Sequence, residues 1–336
     1  MTYTGIRHAN KAAAGYQFAK PVDCYQAQGA AMFTREVAGR WQVRFVRFDD
    51  DGSAVVGVLD GDTIFSLAEL AAEFPTMLSI IHGGGQALGR IREYLKTTDK
   101  GRPAGTVRLL APIEQPGKYL AIGMNYRKHV EESARVGVSA PPNQMWFNKQ
   151  TTCIAGPFDA IEPGVTKKLD YEIELGAVIG KQAKGVSQAA AADHVFGYFV
   201  ANDVSARDWQ FHTPTFTMGK SFDTHGPIGP CIVTADELGD PHTLDMRCYV
   251  NGELRQQSNT SQMLSNLWQQ IEYLTTAFTL QPGDLIATGT PEGVGAGMEP
   301  PTFLQPGDIV RCEIDGIGAI ENRVAAGKRC DGALAR

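Results

Sequence analysis

No apolar run in this 336-residue chain approaches the roughly 18 residues that a membrane-crossing helix requires. Clustered positive charge is missing too. Lys and Arg number 31 against 37 Asp and Glu, a net charge of −6, which argues against a broad nucleic-acid-binding face. No C-x-x-C pair occurs among the six cysteines, Cys24, Cys153, Cys231, Cys248, Cys312 and Cys330, so a zinc knuckle or redox dithiol is not expected. Scattered single cysteines suit a reducing cytosol, and a cytoplasmic location is the expectation. Cys231 and Cys248 lie in apolar runs and read as small core residues. The first 20 residues lack an apolar signal region, Ser and acids alike, while carrying Arg7, Lys11 and Lys20. A flexible leader or oligomer arm is expected there, not a secretory signal. Nucleotide fingerprints are also absent. Gly83-Gly84-Gly85 stands without a surrounding motif, and Gly219-Lys220-Ser221 lacks the upstream glycine of a phosphate loop.

What is present is an ordinary soluble composition, 43% apolar and 20% charged, with length for one large or two smaller domains. Residues 1–40 show weak periodicity and read as an extension. From Trp41 to Phe48 the pattern alternates with period two, the mark of a half-buried strand. Strands over Ala54–Leu59 and Thr63–Phe65 follow, separated by turns at 49–52 and 61–62. A small β-rich domain over 41–112 is expected, with short helices at 67–74 and 91–95. Pro103, Pro112 and Pro116 mark 100–117 as a linker to a second domain over 118–330.

That second part is strand-rich. Tyr119–Ile122, Leu175–Ile179 and Gly197–Ala201 are apolar runs of strand length. Asn251-Gly252 predicts a type I′ hairpin. A helix is predicted over 126–135 with Asn125 as N-cap and Gly137 as stop, and another over 263–278. Leu280-Gln-Pro-Gly-Asp284 recurs as Leu304-Gln-Pro-Gly-Asp308, two like turns feeding strands. Strands outnumber helices without alternating regularly with them, so the expected fold is a β-rich α+β fold with a mixed sheet.

Several residues can carry chemistry. In Asp170-Tyr-Glu-Ile-Glu174-Leu, a strand would point Glu172 and Glu174 to one face. Paired carboxylates repel unless a cation or proton lies between them; the bland alternative is a solvent-facing edge strand. Asp203 ends an apolar strand, where an acid is costly unless paired or coordinated; otherwise it is a turn or N-cap residue. Three carboxylates without His or Cys favour a hard cation, Mg²⁺, Mn²⁺ or Ca²⁺, over zinc. His129 and Glu132 stand at i and i+3 on the predicted helix, where the acid can orient the imidazole as a general base. Lys220 can bind a carboxylate or a developing enolate, or be a plain loop lysine. His212 and His225 flank the same segment.

Together these pieces resemble the fumarylacetoacetate hydrolase family from about Tyr119 to Val324. The ordered motifs are Gly123-Met-Asn-Tyr-Arg-Lys-His129-Val-Glu-Glu132, Asp170-Tyr-Glu-Ile-Glu174, Asn202-Asp-Val-Ser-Ala-Arg-Asp208, Gly219-Lys-Ser221, Gly226-Pro-Ile-Gly-Pro230, Val250-Asn-Gly-Glu253 and Thr288-Gly-Thr-Pro291. The resemblance implies a mixed β-roll catalytic domain and a homodimer. It implies a divalent cation, Mg²⁺ or Mn²⁺, on Glu172, Glu174 and Asp203. It makes His129 and Glu132 a water-activating pair on a lid, and Lys220 an enolate-stabilising cation. Arg207, Gln210 and Thr290 match positions that contact the 2-oxo-acid end of a substrate. Lys149 matches a family lysine, though Gln150 replaces the usual following proline. The reaction implied is hydrolysis of a carbon–carbon bond in an acylpyruvate or fumarylacetoacetate-like 2-oxo acid. The alternatives are an oxaloacetate-type decarboxylase, a 2-oxo-diacid isomerase, or a silent module that binds a cation or oxo acid.

Overall fold

The structure is a computed structural model that describes residues 43–135 and 137–327. The expected leader, Cys24 and Cys330 lie outside the described residues. The alternating pattern near Phe45 forms β1 (Arg44–Asp50), followed by β2 (Ser53–Asp60) and β3 (Thr63–Ser66). Asp51 and Gly52 take positive φ, 52° and 88°, so the first turn is tighter than the four residues expected.

Two local expectations need correction here. In place of the helix expected at 67–74, Ala68–Leu70 is only a 3-10 turn, and the helix expected at 91–95 is part of a longer kinked element, α1 (Met77–Thr97), which buries Ile80, Ile81, Ala87, Ile91 and Leu95. Gly84, with the non-helical pair φ 51° and ψ −135°, kinks α1 into two helical pieces, the second of which contains the helix expected at 91–95. The supposed linker contains β4 (Gly101–Pro103), paired with β3, and β5 (Arg108–Leu110), paired with β1. Strands of three residues are too short to show period two.

The second part begins with β6 (Tyr119–Gly123), helix α2 (Arg127–Arg135), β7 (Met145–Lys149) and β8 (Ile154–Ala155). It continues with β9 (Leu169–Asp170), β10 (Ile173–Ile179), β11 (Val195–Asn202), β12 (Ser205–Ala206) and β13 (Gly226–Thr234). The Asn251-Gly252 turn, with φ 52° and 80°, joins β14 (Asp245–Val250) to β15 (Glu253–Asn259), as the sequence predicts. Helix α3 (Leu267–Ala277), β16 (Leu285–Ala287), β17 (Ile309–Ile314) and β18 (Gly318–Arg323) complete the chain.

The fold is β-rich α+β. A mixed 12-stranded sheet runs β4-β3-β2-β1-β13-β11-β10-β16-β6-β7, with β5 and β8 on side branches. Phe45 of β1 lies opposite Ile232 of β13, so the first strands extend the central sheet. β10, β11 and β13 are buried along their whole length, which explains their unbroken apolar runs. One face, with Leu175, Ala177 and Val200, packs toward the antiparallel sheet β15-β14-β17-β18. The other, with Val178 and Phe199, packs with the first strands and α1. Cys231 and Cys248 are buried and free, as expected of core residues.

Asn125 is not an N-cap. Its amide donates to the carbonyls of Ser265 (2.9 Å) and Thr288 (2.7 Å) and accepts from Ser265 N. Those bonds hold 264–265 out of α3, which starts later than predicted at the Asn266–Gln269 capping box. The repeated turns are alike: Gln281 N donates to Asp284 and Gln305 N to Asp308, each at 2.7 Å. No helix among the described residues is long and apolar enough to cross a membrane.

Candidate active site

The ends of β10 and β11 meet where their buried runs give way to loop. Glu172 immediately precedes β10, Glu174 is its second residue, and Asp203 follows β11. All three are buried. One carboxylate oxygen from each lies within 4.8 Å of the other two. The backbone fixes the cluster, since Asp203 N donates to Glu172 O at 2.9 Å and Glu172 N to Asn202 Oδ1 at 3.0 Å. Gly289 N holds Glu174 Oε2 at 2.8 Å.

Two lysines counter this charge. Lys220 Nζ donates to Glu172 Oε2 and Asp203 Oδ2, both at 2.7 Å. Lys149 donates to Asp203 Oδ1 and to the Lys220 carbonyl. Arg207 joins the network through Asp170 (2.8 Å), Glu172 (2.6 Å) and Gln210 (3.0 Å). Burial raises the pKa of Glu172, but Lys220, then Arg207 and His129, outweigh it and hold that carboxyl well below the usual range. Glu174 goes the other way: burial, then the charges of Asp203 and Glu172, push it well above the ordinary value. Such a cluster holds excess negative potential, and its donors are all oxygens. That set fits a hard divalent cation, in keeping with the sequence reading.

The helix pair is seated on the 289–297 loop, whose Gly289 also holds Glu174. His129 Nδ1 contacts Glu132 Oε2 at 2.9 Å, and both residues are nearly buried. Glu132 Oε1 accepts from Gly293 N at 3.0 Å. Met124, at the root of this segment, has φ 56°, and a cavity of about 350 Å³ lies between the segment's two roots, lined by Met124, Asn125, Gln144 and Met145.

The structure thus joins Glu172, Glu174, Asp203, Lys220, Lys149, Arg207 and Gln210 in one network, with His129 and Glu132 beside it. Thr290 is buried, but its hydroxyl accepts from Gln256 at 2.9 Å; the neighbouring Gly289 makes the direct contact. His225 sits elsewhere, against the Glu162 carbonyl at 3.1 Å and stacked on Phe222, and His212 packs on Trp209.

Sequence reasoning gave Asp170 no role. It is wholly buried and accepts from Gly295 N (2.7 Å), Ala296 N (2.9 Å) and Tyr171 N (2.9 Å) as well as Arg207. Gly297 presses on the His129–Glu132 pair: a Cβ there would meet Glu132 Cδ at 2.3 Å. The glycine-rich run from Gly289 to Gly297 was the available signal.

The fumarylacetoacetate (FAA) hydrolase C-terminal family profile matches residues 118–325, and an Rv2993c-like N-terminal profile matches 43–112. The chain is 42% identical over 290 residues to an oxaloacetate tautomerase, mitochondrial, of Xenopus laevis, covering 84% of this chain and 90% of that one. A fumarylacetoacetate hydrolase from Exiguobacterium antarcticum superimposes with TM-score 0.72 at 37% identity, over 84% of this chain and 99% of that one. A maleylpyruvate hydrolase from a Sphingobium species, in complex with manganese(II) and pyruvate, superimposes with TM-score 0.73 at 33% identity, over 85% and 100%.

Proposed function

This chain belongs to the fumarylacetoacetate hydrolase family, and on that premise we propose that it is a divalent-metal-dependent enzyme that hydrolyses acylpyruvate-type 2-oxo acids. The observation that carries this reading is that one loop seats both parts of the site: Gly293 N holds Glu132 of the His129–Glu132 pair, and Gly289 N holds Glu174 of the acidic triad. A binding module has no use for an oriented base at that point.

Glu172, Glu174 and Asp203 would hold the cation, Mg²⁺ or Mn²⁺, whose charge would draw the carboxylate and keto oxygens of a 2-oxo acid and favour its enolate. Glu132 accepts the Nδ1 proton of His129, which leaves Nε2 free to take a proton from water. The hydroxide formed adds to the distal carbonyl of the substrate. The bond between that carbon and C3 then breaks, and its electron pair enters the enolate of pyruvate. Lys220 faces the growing negative charge. His129 returns the proton to C3, so one acylpyruvate and one water give one carboxylic acid and one pyruvate. Arg207, which donates to both Glu172 and Gln210, orients the oxo-acid end together with Gln210.

A second reading, keto–enol tautomerisation of oxaloacetate, is favoured by the 42% identity to the Xenopus laevis oxaloacetate tautomerase. It uses the same pair to move a proton at C3 without adding water. Both readings are tested by following acetylpyruvate cleavage and oxaloacetate enol decay by ultraviolet absorbance with Mn²⁺, with and without chelator. Cleavage of acetylpyruvate that chelator stops supports the first reading. Enol decay alone moves the assignment to the second, and inertness toward both returns the chain to a silent binding module.

A further inference from the structure

Resting on the acylpyruvate reading, we propose that Phe211 and Phe216 form the subsite for the substrate's distal group, and that this group is an uncharged aryl or bulky alkyl ketone, not a second carboxylate. The rings make a continuous path out of the centre. Lys220 Nζ lies 5.1 Å from the ring centre of Phe147, two residues before Lys149 on β7. The Phe216 ring meets Phe147 at 6.1 Å, and Phe211 meets Phe216 edge-on at 5.5 Å. These are favourable aromatic pair geometries, and a further ring can extend the series.

The outer end of the path is open. Phe211 is 62% exposed, and Met218 in the same segment is 49% exposed. Phe216 takes φ 59°, a left-handed conformation rare for a bulky residue. Strain of this kind gathers at ligand clamps. The electrostatics point the same way. The segment Phe211-His-Thr-Pro-Thr-Phe-Thr-Met-Gly219 has no Lys or Arg. Lys220, Lys149 and Arg207 belong to the triad and, on the reading above, to the oxo-acid end of the substrate, and Lys128 on α2 pairs with Glu292 at 3.3 Å. A second carboxylate directed along this path finds apolar rings and no uncommitted cation in that segment, whereas a phenyl or branched alkyl group finds a matching surface.

The test uses the full chain with Mn²⁺ and three substrates: acetylpyruvate, benzoylpyruvate and fumarylpyruvate. Benzoylpyruvate is expected to have the highest kcat/KM, about tenfold or more above fumarylpyruvate. Phe211→Ala should lower kcat/KM for benzoylpyruvate about tenfold more than for acetylpyruvate, and Phe211→Arg should shift the ratio toward fumarylpyruvate. A wild-type preference for fumarylpyruvate overturns the subsite, as does an equal loss on all three substrates in Phe211→Ala. Light scattering on the same samples covers the other occupant: if Phe211→Ala turns a dimer into a monomer while activity falls uniformly, a second copy covers these rings and the proposal is wrong. If acetylpyruvate is cleaved without any benzoyl preference, the subsite alone fails. If no acylpyruvate is cleaved, the hydrolase reading fails and the subsite with it.

Discussion

Asp170 receives Arg207 Nε at 2.8 Å on the same carboxylate whose oxygens hold the backbone of Gly295 and Ala296. That one acid links the two halves of the site. Through Arg207 it supports Glu172, and through the 293–297 loop it supports the seat of Glu132. Asp170→Asn puts an amide donor against N–H groups and leaves buried Arg207 with one fewer counter-charge. The expected loss in urea unfolding is about 3 kcal/mol, with faster amide exchange at Gly293–Gly297. A variant as stable as wild type would contradict this coupling.

The acidic triad should account for stabilisation by metal. Glu172→Gln and Asp203→Asn should each abolish the rise in Tm that Mn²⁺ gives the wild type, and abolish activity with it. Melting curves with and without Mn²⁺ test this directly. An equal Mn²⁺ shift in wild type and both variants excludes the triad as the site.

Base and cation should separate by substrate. His129→Ala should lower acylpyruvate hydrolysis by about 10²–10⁴-fold while keeping the Mn²⁺ shift in Tm. Decarboxylation of oxaloacetate needs no attacking hydroxide, so it should survive far better in that variant. Lys220→Ala should damage both reactions. Near-normal hydrolysis by His129→Ala would remove the pair from the mechanism.

Gly297→Ala tests the seat of Glu132. Its Cβ falls 2.3 Å from Glu132 Cδ and 2.6 Å from Cγ. Glu132 is nearly buried and must give up part of its contact with His129 or Gly293 N, so the stability cost should be about 1–3 kcal/mol. Displacing Glu132 from His129 by about 1 Å should lower kcat about 100-fold. Unchanged kcat in the folded variant would show that the 2.9 Å contact has no part in turnover.

His225 should make the fold sensitive to acid. Burial, then the nearby charge of Lys149, pushes its pKa down to about 3, against about 6.5 in an unfolded chain. Above pH ~6.5 both states hold it neutral and it adds no pH dependence. As pH falls from ~6.5 toward 3, only the unfolded chain takes up the proton, so stability drops by about 1.4 kcal/mol per pH unit. His225→Phe, which keeps a ring against Phe222, should flatten urea midpoints measured between pH 6.5 and 4.5. An unaltered slope would place the acid sensitivity elsewhere.

The sequence alone determined what period, turn chemistry and local spacing can encode. The i, i+2 spacing brought Glu172 and Glu174 together at the start of a buried strand, Asn251-Gly252 set a hairpin, and the i, i+3 spacing brought His129 to Glu132. The structure bears each of these out. Only the tertiary structure decided which distant groups satisfy which buried polar atoms. Asn125 is drawn from capping α2 to Ser265, 140 positions away. The Thr290 hydroxyl is taken by Gln256, and Asp170 gathers amides from 295 and 296. The strand pair β1–β13 merges the first strands with the central sheet. A period describes one segment's own faces. The partner of a buried donor is chosen by the whole packed fold, where leaving it unpaired costs about 1–3 kcal/mol, and no local pattern records that choice.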